Sequence, residues 1–350
     1  MFPIYGAPLT CKIIFYFFLK IRIISRYNFS LLSKRAKSIS KRKKGNKFQV
    51  SLSIGSRSLE VHRNNKHVCG MVFKMNRFID SRITPPIIPD VTQFIQETQH
   101  FMNVFNCCFK TIELELNPPL TYDQLFEMIN WLNEMKTEIE EVAIVSAKRH
   151  MFEFFMNRFR KSINQLYTPL RYFESDGIVF KRLNFEVKEL FYSIRCDWFN
   201  LECLSNMNTE NISAYKNNFS AEELNVFLRS WQEGKTNRNL KQIVLVTSVS
   251  SDMKEVLKDC GAELMDPRTT KLKFRERNRF GYFDSRIYGG IHIRRNDGRL
   301  AVIRTDGYDY FREDNVHERQ IRKYLRNRDI WNSENSHDKW YEHAFNIYFF

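Results

Sequence analysis

Residues 198–231 read WFNLECLSNMNTENISAYKNNFSAEELNVFLRSW, and the second half of this stretch follows the rules of an α-helix closely. Ser220 followed three residues later by Glu223 is a capping box, which satisfies two backbone N–H groups at a helix start. An apolar stripe follows at i, i+3, i+4 and i+7, made of Leu224, Phe227, Leu228 and Trp231. Gly234 favours a helix end, and residues 240–246 (LKQIVLV) are typical of a buried strand. The stretch predicts a capped helix that leads into a buried strand.

The same order of strand and helix occurs upstream. Residues 111–117 (TIELELN) alternate apolar and polar side chains, which is the period of a half-buried strand. Thr121 with Gln124 then forms a second capping box ahead of another apolar stripe, made of Leu125, Met128, Ile129 and Leu132. Further strands are predicted at 50–54, 141–145 and 181–187, and further helices at 94–108, 149–164, 252–259 and 316–328.

These elements predict an α/β fold. The strand centres near residues 114, 144, 184 and 244 are irregularly spaced, which favours a curved, irregular, leucine-rich-repeat-like array of strand–helix units. Past residue 270 the pattern becomes antiparallel. Two strand-like runs, IHIRR and RLAVIRT, flank Asn296-Asp297-Gly298, and Gly tolerates the positive φ that such a turn requires. The array is therefore expected to close with an antiparallel hairpin.

The chain has 350 residues and a formal net charge of +15, and its positive charge is unevenly placed. Residues 1–50 contain eight Lys and four Arg and no acidic residue, so that the other 300 residues carry only about +3. Basicity of the whole chain is consequently a weak argument for nucleic acid. The basic segment 34–47 fits either a solvated linker or a nuclear-import signal.

Seven scattered cysteines form no C-x-x-C pair, which argues for the reducing cytoplasm or nucleus. The most apolar run, residues 13–19, is much shorter than the roughly 20 residues that cross a bilayer, so we expect no membrane association. The sequence also lacks the phosphate-binding, dinucleotide-binding, zinc-protease and nucleophile-elbow motifs. We expect a chain that is not an enzyme and that has no catalytic residue and no cofactor.

Two groups contain residue types that bind metals or react with oxidants. His62, His67 and Cys69 form H-x4-H-x-C, but structural zinc takes four ligands and no fourth is evident nearby, so no metal is expected. Cys107 and Cys108 are adjacent in an apolar context, where thiols act as small hydrophobic groups or, less commonly, in redox chemistry.

A basic ladder occupies every second position of one predicted strand and consists of Lys271, Lys273, Arg275, Arg277 and Arg279. On a strand these side chains all point to one face, whereas Leu272 and Phe274 point to the other. Three interpretations remain open for this possible partner surface. It is the solvated face of an edge strand, a surface for an acidic protein, or a track for a nucleic-acid backbone.

The individual residues also resemble a known family. Trp198, Asn200, Leu201 and Leu204, followed by Leu224, Asn225, Phe227, Leu228, Trp231 and Gly234, are similar to the opening of the type 2 F-box-associated domain. Residues 289–303 resemble its closing hairpin. The start of the chain resembles the F-box that usually precedes this domain, through Phe2, Pro3, Pro8, Leu31, Ser33, Lys34, Arg35, Ser38 and Ile39.

The resemblance implies a substrate receptor that recruits a protein target to a Skp-cullin-type ubiquitin ligase. Residues 1–45 would form a short helical F-box with a basic linker, 46–305 the α/β substrate-binding region, and 306–350 a C-terminal tail. The adaptor would be bound by Phe2, Pro3, Pro8, Leu31, Ser33 and Ile39. Two alternatives remain: a basic nucleic-acid-binding module, which we consider unlikely, and a decayed F-box relative that acts only as a protein-binding domain.

Overall fold

The computed structural model describes Ile23 and Arg26 and most of the chain beyond residue 47. The described ranges are 48–54, 58–63, 66–74, 77–80, 91–105, 107–169, 180–278, 281–305, 316–333 and 338–350. The expected F-box helices of residues 1–45 lie outside this part of the chain, except that Ile23 and Arg26 are both helical. The chain divides into two compact units, one ending at Ile163 and the other beginning at Asn164.

Beyond residue 47, the described part of the first unit contains six strands and three helices. Its strands are β1 (Gln49–Ser53), β2 (Ser58–Arg63), β3 (Lys66–Lys74), β4 (Arg77–Asp80), β5 (Cys108–Leu116) and β6 (Ile139–Ala147). Its helices are α1 (Val91–Phe105), α2 (Tyr122–Glu134) and α3 (Arg149–Arg158). The strands lie side by side in the order β6-β5-β1-β2-β3-β4, with the first three parallel and the rest antiparallel.

The sequence patterns of the first unit are confirmed at β5 and α2. Ile112, Leu114 and Leu116 of β5 are fully buried, as their alternation predicts. The Thr121 side chain accepts a hydrogen bond from the Gln124 backbone, and the Gln124 side chain accepts one from the Thr121 backbone, so the capping box is complete. Because the stripe behind this cap is buried, the helix packs its apolar face into the core.

The second unit begins with β7 (Ile163–Thr168), and the remaining elements follow in chain order. They are β8 (Val187–Ser193), α4 (Leu201–Asn206), β9 (Asn211–Asn217), α5 (Ala221–Gln232), β10 (Gln242–Asp252), α6 (Met253–Val256), β11 (Glu263–Met265), β12 (Lys271–Asn278), β13 (Gly281–Tyr288), β14 (Gly290–Arg294), β15 (Leu300–Arg304), α7 (Glu318–Asn332) and β16 (Tyr341–Phe349).

The strands of this unit form one sheet and one separate hairpin. The sheet runs in the order β11-β14-β15-β16-β10-β9-β8-β7, and β8, β9 and β10 are parallel. The C-terminal strand β16 lies between β10 and β15 and is antiparallel to both. The hairpin predicted around Asn296-Asp297-Gly298 is confirmed as β14–β15, with Gly298 at φ +90°. Among the described strands, β12 and β13 pair only with each other.

The deciding stretch of the sequence folds as predicted at α5. Ser220 and Glu223 complete the second capping box, and the stripe of Leu224, Phe227, Leu228 and Trp231 is buried. Gly234 adopts φ +72° just after the helix, a conformation that costs glycine little. The parallel strand β10 follows. The mixed α/β fold is therefore confirmed, with strand–helix units followed by an antiparallel C-terminal part.

Two predicted elements are misplaced. The strand predicted at 181–187 is wrong, because the strand begins only at Val187. Phe185 and Val187 are nevertheless buried, as the alternation of apolar and polar residues predicts. The helix predicted at 149–164 ends at Arg158. There the Asn133 amide donates to the Arg158 carbonyl at 3.1 Å and its oxygen accepts from the Arg160 N–H at 2.8 Å, so the chain turns toward β7.

Buried asparagine amides tie the turns of the second unit together. Asn237, at φ +51°, donates through its Nδ2 atom to the carbonyls of Leu204 and Met207, at 2.9 and 2.7 Å. These carbonyls lie at the end of α4, where the Leu204 carbonyl also accepts a hydrogen bond from the Met207 N–H at 3.2 Å. Asn217 likewise donates to the carbonyls of Ala214 and Val246, which belong to β9 and β10. Because buried carbonyls need donors, these amides link successive strands and helices of the second unit.

We predict that Asn237→Gly destabilises the protein by about 1–3 kcal/mol, because the Met207 carbonyl loses its side-chain donor and the Leu204 carbonyl keeps only the Met207 N–H, while glycine still accepts the positive φ. Asn237→Asp should cost more, because a carboxylate cannot donate to a carbonyl. The free energy of unfolding, measured by denaturant titration, checks both. Asn239→Ala is the control: this exposed neighbour should change the value by less than about 0.5 kcal/mol. Wild-type stability of Asn237→Gly would contradict the proposed tie.

Candidate protein-binding surfaces

The two tryptophans that carry the family resemblance lie in the core of the second unit. Trp198 is 1% exposed, and its ring lies edge-on to the rings of Phe180, Phe191 and Phe199 at 5.5, 6.0 and 5.9 Å. Trp231 is fully buried, with its ring 4.8 Å from that of Phe349 in the C-terminal strand β16. Both tryptophans therefore join segments that are distant in the sequence.

The other apolar motif residues also belong to the core or to the start of a helix. Leu224, Phe227 and Leu228 are buried on α5, and the partly buried Leu201 starts α4 directly after the N-cap residue Asn200. The Asn200 side chain accepts a hydrogen bond from the Cys203 N–H at 2.8 Å, so this cap fixes the start of α4.

The polar motif residue Asn225 donates hydrogen bonds to backbone carbonyls. Asn225 Nδ2 lies 3.0 Å from the Val256 carbonyl and 2.7 Å from the Lys258 carbonyl, at the end of α6. A Cβ atom at Gly234 would lie 3.2 Å from the guanidinium of Arg295, so any larger side chain would displace it. The motif residues thus form part of the interior and of the turns. Any recognition surface would be formed by other residues.

The predicted adaptor-binding residues Phe2, Pro3, Pro8, Leu31, Ser33 and Ile39 lie outside the described residues. Within the same segment, Ile23 is buried and the Arg26 guanidinium lies 5.6 Å from the centre of the Phe105 ring of α1. Arg26 therefore has the geometry of a cation–π contact with α1, within the first unit.

The predicted basic ladder lies on the β12–β13 hairpin. Lys271, Lys273 and Arg275 are exposed, whereas Leu272 and Phe274 point the other way and pack against the cluster of Ile287, Val302 and Tyr348. The alternation of faces is confirmed. Arg279 lies outside the described residues.

The ladder is partly neutralised by its neighbours. Arg277 is only 14% exposed in its side chain and forms an ion pair with Glu189 of β8 at 2.6 Å. It also donates to the Tyr282 hydroxyl at 2.7 Å, and the Arg275 guanidinium lies 5.1 Å from the centre of the same ring. Asp284 is directly opposite Arg275 in the register. Arg277 thus fixes the hairpin to the sheet, and the face left to a partner is smaller than the sequence suggests.

A carboxylate lies on the inner face of this hairpin. Burial raises the pKa of Glu276, and hydrogen bonds from the Ser285 and Tyr348 hydroxyls and the nearby Arg304 oppose the increase. Glu276 is therefore a partly buried acid held between the hairpin and the C-terminal strand.

His62 and His67 approach each other without forming a metal centre among the described residues, where no group of three or more His, Cys, Asp or Glu could hold an ion. Their rings meet edge to face at 5.8 Å, and burial lowers the pKa of His62. The two imidazoles therefore pack against each other on β2 and β3.

Cys107, Cys108, Cys196, Cys203 and Cys260 are free thiols, and the three in the second unit are buried. Burial raises the pKa of Cys203 to about 12 and that of Cys260 to about 11, and it also raises the pKa of Cys196. Thiols that stay protonated react slowly with oxidants. Cys107 is buried, and the Cys108 sulfur lies 3.9 Å from the Phe48 carbonyl.

An exposed aromatic cluster on α2 and α3 was not predicted. Tyr122 and Phe126 are 47% and 42% exposed, and each ring lies edge-on to that of Phe154. The Arg158 guanidinium lies 5.2 Å from the centre of the Phe126 ring and 4.8 Å from that of Phe154. Exposed aromatic and arginine side chains are enriched where proteins bind proteins. Their i, i+4 spacing along each helix was the available sequence signal.

A second unpredicted feature is a groove between α7 and the start of β16, here named the α7–β16 groove. Its lining is strongly basic, with Arg319, Arg322, Lys323, Arg326 and Lys339. The sequence indicated a basic helix here, but nothing in it showed that β16 lies opposite. No helix in the described part of the chain is long and apolar enough to span a membrane.

We predict that Glu276→Gln stabilises the protein at neutral pH. Because the folded-state pKa is raised, the protein loses stability as the pH rises from the ordinary glutamate value through the folded-state pKa, whereas glutamine keeps the hydrogen bonds without charge. The gain should disappear as the pH falls below the ordinary glutamate value of 4.5, where both states are protonated. Urea titrations at pH 4 and pH 7 measure this, and a gain that persists at pH 4 would contradict it.

Comparison with known proteins supports the resemblance for one segment. A family described as F-box associated matches residues 180–245, which include Trp198, α4, α5 and the first part of β10. No curated protein and no solved structure matches the chain. Residues 180–245 are accordingly the part of this chain that is similar to an F-box-associated domain.

Proposed function

We propose that the protein is a substrate receptor of a Skp-cullin-type ubiquitin ligase. The observation that carries the proposal is the F-box-associated match at residues 180–245, where the matching residues form the core of a folded unit. The proposal also rests on the resemblance of residues 1–45 to an F-box, since an F-box binds a Skp-type adaptor. The protein target is bound by the α/β region that follows.

In this role the protein catalyses no reaction itself. The chemistry belongs to the ubiquitin-conjugating enzyme, and the receptor raises the effective concentration of the target beside it, to about millimolar for a short flexible connection. The result is ubiquitination and degradation of the target. The seven cysteines without a C-x-x-C pair support a reducing cytoplasmic or nuclear location.

The arrangement of the α/β units supports a leucine-rich-repeat-like array as the target-binding platform. In the second unit β8, β9 and β10 are parallel neighbours in chain order, and α5 contacts both α4 and α6. In the first unit α2 contacts both α1 and α3. Such stacking buries one face of each unit and leaves exposed strand ends, loops and outer helix faces for binding. The aromatic cluster of α2 and α3 is one such surface.

Nucleic-acid binding is the second candidate, favoured by the exposure of Lys271, Lys273 and Arg275 on β12. The ion pair between Arg277 and Glu189 weighs against it, because it removes one cation from the ladder. A steep fall of oligonucleotide affinity with salt, abolished by Lys273→Glu with Arg275→Glu, would favour this function instead.

We predict that the full-length chain captures a Skp-type adaptor at micromolar concentration and that Pro8→Ala with Leu31→Asp weakens capture at least tenfold. The aspartate places a charge on a mostly apolar contact, and an unpaired charge in an apolar interface is costly. Pull-down of the purified adaptor, followed by titration, measures the effect.

Lys44→Ala is the control for this experiment, because it lies in the basic linker and should leave capture within twofold of wild type. Circular dichroism of each variant checks that the fold is retained. Absence of capture by the folded wild-type chain would reject the ligase role and leave the decayed, purely protein-binding relative as the surviving alternative.

A further inference from the structure

The α7–β16 groove has a volume of about 460 Å³ and is lined by residues of α7 and of the segment that enters β16. Trp340 and Ile330, each 5% exposed, are the buried apolar residues of its lining. The remaining lining is mostly cationic, with Arg319, Arg322, Lys323, Arg326 and Lys339, and it also includes Asn327, Tyr341 and one carboxylate, Glu342. A groove of this size accommodates a short peptide or a small molecule rather than a duplex.

The cations of the groove lie along one face of α7. Arg319, Arg322, Lys323 and Arg326 lie at i, i+3, i+4 and i+7, a spacing that places them on the same side of the helix. In this helix Arg319, Arg322 and Arg326 are exposed along the groove. The face of α7 toward the groove is therefore positively charged.

Two acidic residues at the groove, Glu342 and Asp329, are already engaged in ion pairs. Glu342 forms an ion pair with Lys323 at 2.7 Å and accepts a hydrogen bond from the Trp340 indole N–H at 2.8 Å. Asp329 forms an ion pair with Arg328 at 3.2 Å. Within the described ranges, no acidic residue forms an ion pair with any of the three exposed arginines of the groove.

The rim of the groove adds an aromatic surface. Tyr341 is 51% exposed, and the Lys339 Nζ atom lies 5.8 Å from the centre of its ring. The adjacent hydroxyl of Tyr341 accepts from Lys339 and raises the pKa of that amine. An amphipathic aromatic beside several cations is typical of a site that binds both the charge and the backbone of a peptide.

From this geometry we propose that the α7–β16 groove binds an acidic segment of the target protein, held in an extended conformation. This rests on the proposed function only in that the segment belongs to a ubiquitination target. Arg322 and Arg326 are separated by about 6 Å along the helix axis. Carboxylates two residues apart on an extended peptide are separated by about 6.6 Å, so each meets one guanidinium. Guanidinium groups bind carboxylates through paired hydrogen bonds.

The test uses the full-length protein and a fluorescein-labelled peptide that contains Glu-Ser-Glu-Ser-Glu, with the Gln-Ser-Gln-Ser-Gln peptide as its uncharged counterpart. Fluorescence anisotropy at low salt gives the affinity. Wild type should bind the acidic peptide at least tenfold more tightly than the glutamine peptide, with affinity falling as salt increases. Arg322→Ala with Arg326→Ala should weaken binding of the acidic peptide at least tenfold.

Lys271→Ala with Lys273→Ala is the matched control, since it removes two exposed cations from the ladder and should leave affinity within twofold of wild type. Equal losses in both double variants, equal binding of both peptides, or no binding by wild type would overturn the proposal. Displacement of the peptide by a single-stranded oligonucleotide that binds more tightly would also overturn it.

Adaptor pull-down with the same variants separates this proposal from the ligase role. Arg322→Ala with Arg326→Ala should capture the adaptor as wild type does, because the groove is not part of the F-box resemblance. Loss of adaptor capture in every variant, with peptide binding intact, would reject the ligase role alone. Loss of peptide selectivity with adaptor capture intact would reject the groove alone.

Discussion

The second unit depends on the pairing of backbone carbonyls that end its short helices. A helix leaves its last carbonyls without internal donors, and burying them unpaired is costly. Asn237 supplies two donors to the end of α4, and Asn225 supplies two to the end of α6. Gln232 donates to the carbonyls of Cys260 and Arg294, which links α5 to β14. Side-chain amides thereby hold each strand–helix unit against the next.

This constraint explains why the residues that carry the family resemblance are not the residues that face a partner. Trp198 and Trp231 are enclosed by aromatic rings, and Asn225 is occupied by backbone. Such residues form the scaffold that positions the exposed side chains. The surfaces available for binding are the aromatic cluster of α2 and α3 and the cationic stripe of α7. These surfaces differ in chemistry, one being aromatic and the other cationic.

Local patterns predicted the elements whose signals are contained in neighbouring residues. The capping boxes at Thr121 and Ser220 and the turn at Gly298 were readable because each depends on contacts within about four residues. The end of α3 was not readable, because it is set by Asn133, 25 residues away from Arg158. The start of β8 could not be located from the sequence, because apolar and polar residues also alternate upstream of Val187, through Phe185. The α7–β16 groove escaped prediction because a cationic stripe is indistinguishable from a solvated helix until β16 is placed opposite.

Hydrogen–deuterium exchange on the full-length protein, with and without the acidic peptide, tests most directly the claim that the family-matching segment is scaffold and the groove is surface. The account predicts that amides of α5 and β10 exchange among the slowest in the free protein and do not change when peptide is added. Amides of α7 and of the first residues of β16 should become protected. Rapid exchange of α5 in the free protein, or peptide-dependent protection confined to residues 198–234, would contradict the account.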